Sequence, residues 1–543
     1  MEEIGGGSFE MWEKNANFTE STSLLLKTYS FMLQKIRIIL AAVCFTLITL
    51  LLLDFSGALH CWLGWLAKIQ LLPAVLALNA VVIVVLALLT LVFGRIYCSV
   101  ICPLGVFQDI VSWIHGRKKK NRFSYSPAKN WLRYAMLLLL IVAVILGLGI
   151  VIALLAPYGT YGRFVNTFLQ PLYIWGNNVL ASISDHFDSY AFYNKEVWLK
   201  SLPVLLVTLG VIVAIVVLAW KHGRTWCNSI CPVGTTLSFL ARFSWFKVHF
   251  DEDKCKDCSL CTKNCKAACI DYKTHTVDYS RCVVCGNCIE KCKFSALKYG
   301  HKPTRKQLAT AKPVADEPKT EKPDEVRRAL MVGAAVMGAE AVLAQTAKKV
   351  DGGLAVIEDK KIPERGTPLT PPGSFSAANM AKRCVGCQLC VAQCPNDVLR
   401  PSNDPATFMQ PVMSYERGYC RPECTRCSEV CPAGAIQPIS EDEKSSIQIG
   451  HAVWVKKNCI VLTDEVECGN CARHCPAGAI QMVRLNPAPE TPAEGEGPKD
   501  EDKRCIPVVN VERCIGCGSC EYVCPARPFS AIYVEGHEVH RMI

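Results

Sequence analysis

Cysteine is the residue that carries chemistry in this chain. Near the middle, Cys255-x2-Cys258-x2-Cys261-x3-Cys265 is followed by Cys282-x2-Cys285-x2-Cys288-x3-Cys292. Three thiolates two residues apart let one short loop wrap three corners of a 4Fe-4S cube, and the fourth cysteine reaches across to a neighbouring cube. Zinc sites usually draw on separated Cys pairs, and disulfide scaffolds belong to short secreted chains, so neither accounts for two consecutive four-Cys runs. Neither Cys265 nor Cys292 precedes the usual Pro, and Cys269 is a spare thiol that could replace Cys265 as the crossing ligand.

Four further runs occupy the last third of the chain. Cys384, Cys387, Cys390 and Cys394-Pro395 keep regular spacing, whereas Cys420, Cys424, Cys427 and Cys431-Pro432 carry one extra residue in the first gap. Cys459 is separated by a longer excursion from Cys468, Cys471 and Cys475-Pro476, and Cys514, Cys517, Cys520 and Cys524-Pro525 are regular again. Six cubes are therefore expected, with fourth ligands exchanged between motifs in pairs that the spacing leaves open. Cys505 is left over without a role.

A different pattern occurs twice in the first half: Cys98-Ser-Val-Ile-Cys102-Pro103 and Cys227-Asn-Ser-Ile-Cys231-Pro232. Spacing of i, i+4 puts each pair on one helical face. Either the four thiols meet as metal ligands or redox-active thiols, or they are buried thiols in Pro-terminated turns. Cys44 and Cys61 have no partner at metal spacing.

The elements that must position these residues are read from composition. With 543 residues the chain holds more than one domain. Its hydrophobic fraction of 51% points to membrane segments, while 20% charged residues require soluble parts. Four apolar runs, about 36–54, 72–94, 132–156 and 202–220, are long enough to cross a bilayer. Arg117, Lys118, Lys119, Lys120 and Arg122 follow the second run, and Lys221 and Arg224 follow the fourth, against a single Lys68 in the 55–71 loop. The positive-inside rule then places the central ferredoxin in the cytoplasm. The same bias explains the net charge of +11 without nucleic acid. No histidine pair lies within the runs and no Cys-x-x-Cys-His occurs, so haem is not expected. The loop after the third run offers Tyr158, Tyr161, Arg163, Asn166, Gln170, Tyr173 and Trp175, which suit either a quinone head group or an aromatic belt.

Residues 301–326 read as a solvated linker of Lys, Pro, Glu and Asp. Arg327-Arg328 then precedes an Ala- and Val-rich stretch to Gln345, the pattern of a twin-arginine export signal. Glu340 makes a permanent anchor expensive, since an acidic residue costs roughly 2.5–3.5 kcal/mol near the bilayer centre. Pro- and Glu-rich residues 487–503 look like a surface insertion. There is no Walker loop, dinucleotide fingerprint or nucleophile constellation, so the clusters form a wire and catalysis lies elsewhere.

Residues 36–292 resemble the membrane quinol-dehydrogenase subunits of NapH type, through the four crossings, the two Cys-Pro motifs and the double ferredoxin. Residues 327–543 resemble the exported four-cluster NapG/MauM type. The resemblance implies oxidation of a quinol and delivery of electrons to a periplasmic cytochrome or reductase, with no nitrate site present. A second resemblance, to CcoG-type factors in metal handling or oxidase maturation, implies reduction of a metal or thiol instead.

The expected fold is an α-helical membrane bundle of four transmembrane helices followed by α+β bacterial ferredoxin-like domains. The segments are 1–35 (cytoplasmic), 36–250 (bundle), 251–300 (two clusters), 301–326 (linker), 327–347 (twin-arginine signal-like or a fifth transmembrane helix), 348–375 (linker) and 376–543 (four clusters). The expected site is the bacterial inner membrane, with the quinone pool as partner and the last domain in the periplasm.

Overall fold

The computed structural model describes residues 32–118, 123–188, 192–301, 358–485 and 504–543. The linker at 302–326, the Arg327-Arg328 pair, the 327–347 segment with Glu340, the insertion at 487–503, and Lys119, Lys120 and Arg122 lie outside the described residues, as does 1–31 of the N-terminal segment.

The first half is a helical bundle. Its helices are α1 (Met32–Leu53), α2 (Ala80–Phe93), α3 (Pro103–Lys118), α4 (Asn130–Leu146), α5 (Pro157–Phe164), α6 (Gln170–His186), α7 (Leu202–His222) and α8 (Pro232–Ala241). Among the described residues only α1 and α7 are both long and apolar enough to cross a membrane. The second and third apolar runs, expected as single crossings, are each broken. Leu71–Leu76 is separated from α2 by Leu78, at φ 56°, and Asn79, whose side chain caps α2. α4 stops at Gly147, in the left-handed conformation that ends helices, before a short helix at Gly149–Leu155. Leu138, Ile145, Leu146, Val81, Val84 and Leu88 are exposed on these elements, an apolar belt far larger than a soluble surface carries.

The second half and the central segment are ferredoxin-like modules. Strands β1 (Lys247–Phe250) and β4 (Leu297–Gly300) pair antiparallel around the central cysteines, with a short hairpin of β2 (Ile270–Asp271) and β3 (Thr276–Val277) between them. In the C-terminal domain β5 (Leu399–Pro401) pairs with β6 (Pro411–Met413), β7 (Ile447–Trp454) with β10 (Ile532–Met542), and β8 (Ile480–Arg484) with β9 (Cys505–Val509). Two local contacts lock this domain: Tyr415 Oη donates to Gly516 O at 2.7 Å, and the buried Arg365–Glu521 pair closes at 2.6 Å.

α7 fixes how the modules sit. At its start, Ser201 caps the helix and bonds Asn403 of the C-terminal domain. At its end, Arg224 N donates to Lys266 O of the central ferredoxin at 2.8 Å. Its 21 residues span roughly 30 Å at the α-helical rise. The two cluster-bearing parts therefore sit at opposite ends of the bundle.

Candidate iron–sulfur sites

The expected cysteines gather into six quartets, and each quartet exchanges its fourth member with its neighbour. In the central module Cys255, Cys258 and Cys261 share a cavity with Cys292, and Cys282, Cys285 and Cys288 share one with Cys265 and Cys269. Cys265 and Cys269 sulfurs lie 3.5 Å apart, so the spare thiol stands beside the expected ligand rather than away from it. In the C-terminal domain the exchange runs between the first and second motifs and between the third and fourth. Cys384, Cys387 and Cys390 face Cys431. Cys420, Cys424 and Cys427 face Cys394. Cys514, Cys517 and Cys520 face Cys475, while Cys459, Cys468 and Cys471 face Cys524.

Local backbone explains the grouping. In the four regular motifs the residue before the second cysteine and the residue after it are left-handed: Asp257 and Ser259, Val284 and Gly286, Gly386 and Gln388, Gly516 and Gly518. That alternation folds the loop around a point and turns it into a one-turn helix carrying the third cysteine. A β-branched Val284 at φ 52° is held there by its surroundings, since free chains avoid it. The irregular second and third motifs of the C-terminal domain lack this pair of left-handed residues, in step with their altered spacing.

The residues fit cubes. Each outlined cavity is lined by four or five sulfurs together with apolar side chains. Backbone N–H groups point at the sulfurs, from Ala296 to Cys292 and from Ala479 to Cys475 at 3.3 Å, and from Ala531 to Cys524 at 3.2 Å. Such donors favour the thiolate form that iron binds.

The quartets run in series. Within the C-terminal domain, the quartet of Cys384 lies against that of Cys427. Cys420 N donates to Cys517 O at 3.0 Å, joining the second quartet to the one containing Cys514. The quartet of Cys459 adjoins that of Cys514, because the third motif sends Cys475 to the one and the fourth motif sends Cys524 to the other.

The loop after the third apolar run takes a place that composition did not foretell. Tyr158, Tyr161 and Arg163 are each 1% exposed, so they form neither an open quinone pocket nor a belt. They sit on α5, which packs directly on the loop of the Cys384 quartet. Arg163 Nη1 donates to Gly386 O at 3.1 Å, and Asn166 Nδ2 to Gln388 O at 3.1 Å. The close approach requires glycine: a Cβ on Gly159 would lie 2.1 Å from Val385 O, and one on Gly162 2.5 Å from Cys387 O. Gln170 is buried beside Lys200, whereas Tyr173 and Trp175 are exposed on α6 as a belt would be. On its other side α5 meets α3, with Phe107 5.4 Å from Phe164 and 6.4 Å from Tyr161 between ring centres.

The Cys-Pro motifs depart from a shared helical face. Cys98 lies in the short helix Tyr97–Val100 and Cys227 in a π-helical turn, while Cys102 and Cys231 stand just before Pro103 and Pro232 at the starts of α3 and α8. Each pair straddles a helix break, which lets all four thiols, 4 to 5% exposed, turn inward together. The central ferredoxin docks beside them, where Arg95 Nη1 donates to Ser280 O at 3.0 Å and Asn228 Nδ2 to Ala267 O at 3.3 Å.

Known iron–sulfur proteins are similar to this chain over most of these segments. A model described as a 4Fe-4S dicluster domain matches residues 383–445 and 466–527. Models described as 4Fe-4S binding domains match 75–122 and 203–251, and 275–298. This array defines an iron–sulfur electron-transfer protein of ferredoxin type. The methylamine utilization ferredoxin-type protein MauM of Methylobacillus flagellatus is 30% identical over 182 residues, 32% of this chain and 70% of that protein. The ferredoxin-type protein NapG of Escherichia coli K12 is 29% identical over 184 residues, covering 75% of it. NapH of the same organism is 27% identical over 195 residues, 36% of this chain and 55% of NapH. The chain belongs to the MauM/NapG family of ferredoxin-type proteins and joins that portion to a NapH-like one. No solved structure matches it.

Proposed function

We propose that this protein carries electrons from a membrane quinol, through its helical bundle, to an acceptor that meets the C-terminal domain on the far side of the membrane. The observation that carries the reading is the placement of α5. Its glycine face lies on the Cys384 loop while its aromatic face meets α3, which begins at Cys102-Pro103. Packed rings thus connect the Cys384 loop, at one end of the bundle, to α3, whose first residue follows Cys102. α1 and α7 serve as crossings, and the broken pairs Leu71–Leu76 with α2, and α4 with Gly149–Leu155, complete four passes.

Six quartets are the proposed cluster ligands: Cys255, Cys258, Cys261 and Cys292; Cys282, Cys285, Cys288 and Cys265; Cys384, Cys387, Cys390 and Cys431; Cys420, Cys424, Cys427 and Cys394; Cys514, Cys517, Cys520 and Cys475; Cys459, Cys468, Cys471 and Cys524. A bound cube takes up and returns one electron at a time. Quinol releases two electrons and two protons, so its electrons leave singly. The protein's part is to hold the thiolates, direct N–H groups and Arg163 at them, and exclude water through the apolar cavity walls. The central quartets face the cytoplasm and the C-terminal ones the periplasm.

The test is anaerobic. Purified protein mixed with a menaquinol analogue should show bleaching of visible absorbance and cluster EPR signals. If dithionite reduces the protein and quinol leaves it oxidised, quinol is not the donor, and reduction of a metal or thiol substrate takes precedence.

A further inference from the structure

We propose that Cys98, Cys102, Cys227 and Cys231 together hold one further 4Fe-4S cube, shared between the two halves of the bundle, with Arg95 and Arg224 as its buried cations. The proposal stands whether or not quinol is the donor.

The four thiols form one site. Each lies within electrostatic reach of the other three, and all are buried. Neither of the segments matched as a 4Fe-4S binding domain, 75–122 and 203–251, contains another cysteine. Each segment therefore supplies only two corners, and a cube must draw on both.

The spacing of the sulfurs suits a cube better than a single metal ion. Tetrahedral zinc with four thiolates at about 2.3 Å brings the sulfurs to about 3.8 Å of one another. Among the described residues, three ligand atoms converge within 4.8 Å only at Cys255, Asp257 and His275. The four Cys-Pro thiols are spread more widely, as are the six quartets assigned to cubes.

The surroundings call for a negative centre. The repeat is longer than the cysteines alone: Arg95-x2-Cys98-x3-Cys102-Pro103-x-Gly105 matches Arg224-x2-Cys227-x3-Cys231-Pro232-x-Gly234. Each arginine crosses to the opposite repeat, Arg224 Nη1 donating to Cys98 O and Arg95 Nη2 to Cys227 O at 3.3 Å. Both are 0% exposed. Arg224 pairs with Asp109 at 2.7 Å, a carboxylate it shares with Lys266 and Arg37. No carboxylate of the described residues lies within ion-pair distance of Arg95, whose Nη2 instead stands 3.8 Å from Cys98 Sγ. A buried guanidinium without a counter-ion is costly. Four neutral thiols, or two disulfides, would leave it so, whereas a thiolate-ligated cube supplies the negative charge.

The backbone adds to the field. Cys102 and Cys231 stand at the N-termini of α3 and α8, of 16 and 10 residues, where N–H groups and helix dipoles favour anions. Gly105 and Gly234 direct their N–H groups at these two sulfurs. Gln108 Nε2 donates to Cys227 Sγ at 3.2 Å from a fully buried position.

The place is also apt. Arg95 touches Cys98 on one side and Ser280 of the central ferredoxin on the other, and α3 leads from Cys102 to Phe107 and the rings of α5. The site lies between the central quartets and the Cys384 quartet, where the series otherwise has a gap.

The test counts cubes on the full chain, kept anaerobic in detergent, by native mass spectrometry. Wild type should carry one more Fe4S4 unit than the Cys98→Ser/Cys231→Ser variant, with EPR signals of the central module retained as a check on folding. Equal counts, or a wild-type excess of one zinc or copper ion in place of Fe4S4, overturn the proposal. Arg95→Gln should keep the count and lower the midpoint potential of one centre. An unchanged set of potentials would remove Arg95 from the role of counter-cation. Loss of quinol reduction alone leaves the count untouched, so the two failures are distinguishable.

Discussion

Replacing Arg163 by Gln tests whether the bundle governs the first C-terminal site. Its guanidinium is buried, makes no ion pair among the described residues, and donates to Gly386 O at 3.1 Å, Ala153 O at 2.9 Å and Thr160 Oγ1 at 3.2 Å. Gly386 N in turn donates to Cys384 Sγ at 3.4 Å, which puts the charge within a residue's breadth of the sulfur. A unit charge on the order of 8 Å from the centre, at an effective dielectric constant of about 20, contributes about 2 kcal/mol to each added electron. For a one-electron couple, where 59 mV is tenfold, that is about 90 mV. An EPR-monitored redox titration of Arg163→Gln should show one centre moved down by tens of millivolts to about 90 mV, with iron content preserved. Gln keeps a donor, so the backbone contact survives in part. If every centre moves together, the variant has loosened the fold; if none moves, Arg163 does not face a cluster and the interface is wrongly assigned.

Gly159→Ala should weaken docking of the C-terminal domain by about 1–3 kcal/mol through overpacking, because the new methyl would lie 2.1 Å from Val385 O; limited proteolysis should release that domain sooner, with its clusters intact. Cys431→Ser should change the same centre that Arg163→Gln shifts, and Cys394→Ser a different one; the reverse assignment would show that fourth ligands are not exchanged. Burial, and His537 beside it, hold His540 down at about 4, while its Nε2 meets Thr370 Oγ1 at 3.0 Å. The unfolded chain then binds the proton more readily, so stability of this domain should fall as pH drops from about 6.5 towards 4, and His540→Gln should flatten that limb in pH-dependent melting. Burial alone would raise the Asp109 carboxyl, but Arg224, Lys266 and Arg37 outweigh it and hold it well below the usual carboxylate range. Asp109→Asn should cost about 3–5 kcal/mol; the melting gap to wild type should stay flat from pH 8 to about 5 and narrow only in strong acid, where the wild-type carboxylate is finally protonated.

The cube-binding motifs were legible because a cluster demands three ligands within one short loop, and local spacing records that demand. Exchange of the fourth ligand was expected, but which motifs exchange was not legible, since that depends on which two loops lie back to back. Cys431 joins Cys384 only because the first two C-terminal motifs pair. Hydropathy found every apolar run but not the breaks at Leu78 and Gly147, because a window average passes over a single left-handed residue. The i, i+4 reading of Cys98 and Cys102 failed for a related reason. Pro103 starts a new helix, so the pair spans a junction.

The aromatic loop after the third run shows how composition misleads when a second domain supplies the environment. Tyr158, Tyr161 and Arg163 have the residue types of a membrane interface, yet their partners are more than 200 positions away in the chain for Arg163 and Asn166. The informative residues were the glycines between them. Pro157-Tyr-Gly159-Thr-Tyr-Gly162 places its two glycines at i, i+3, on one face of α5, and bare helix faces admit a foreign backbone. That face receives Val385 and Cys387, and the aromatic residues on the other side reach back to Phe107. One eight-residue helix thus joins the loop of the Cys384 quartet, on its glycine face, to the ring cluster against α3 on the other.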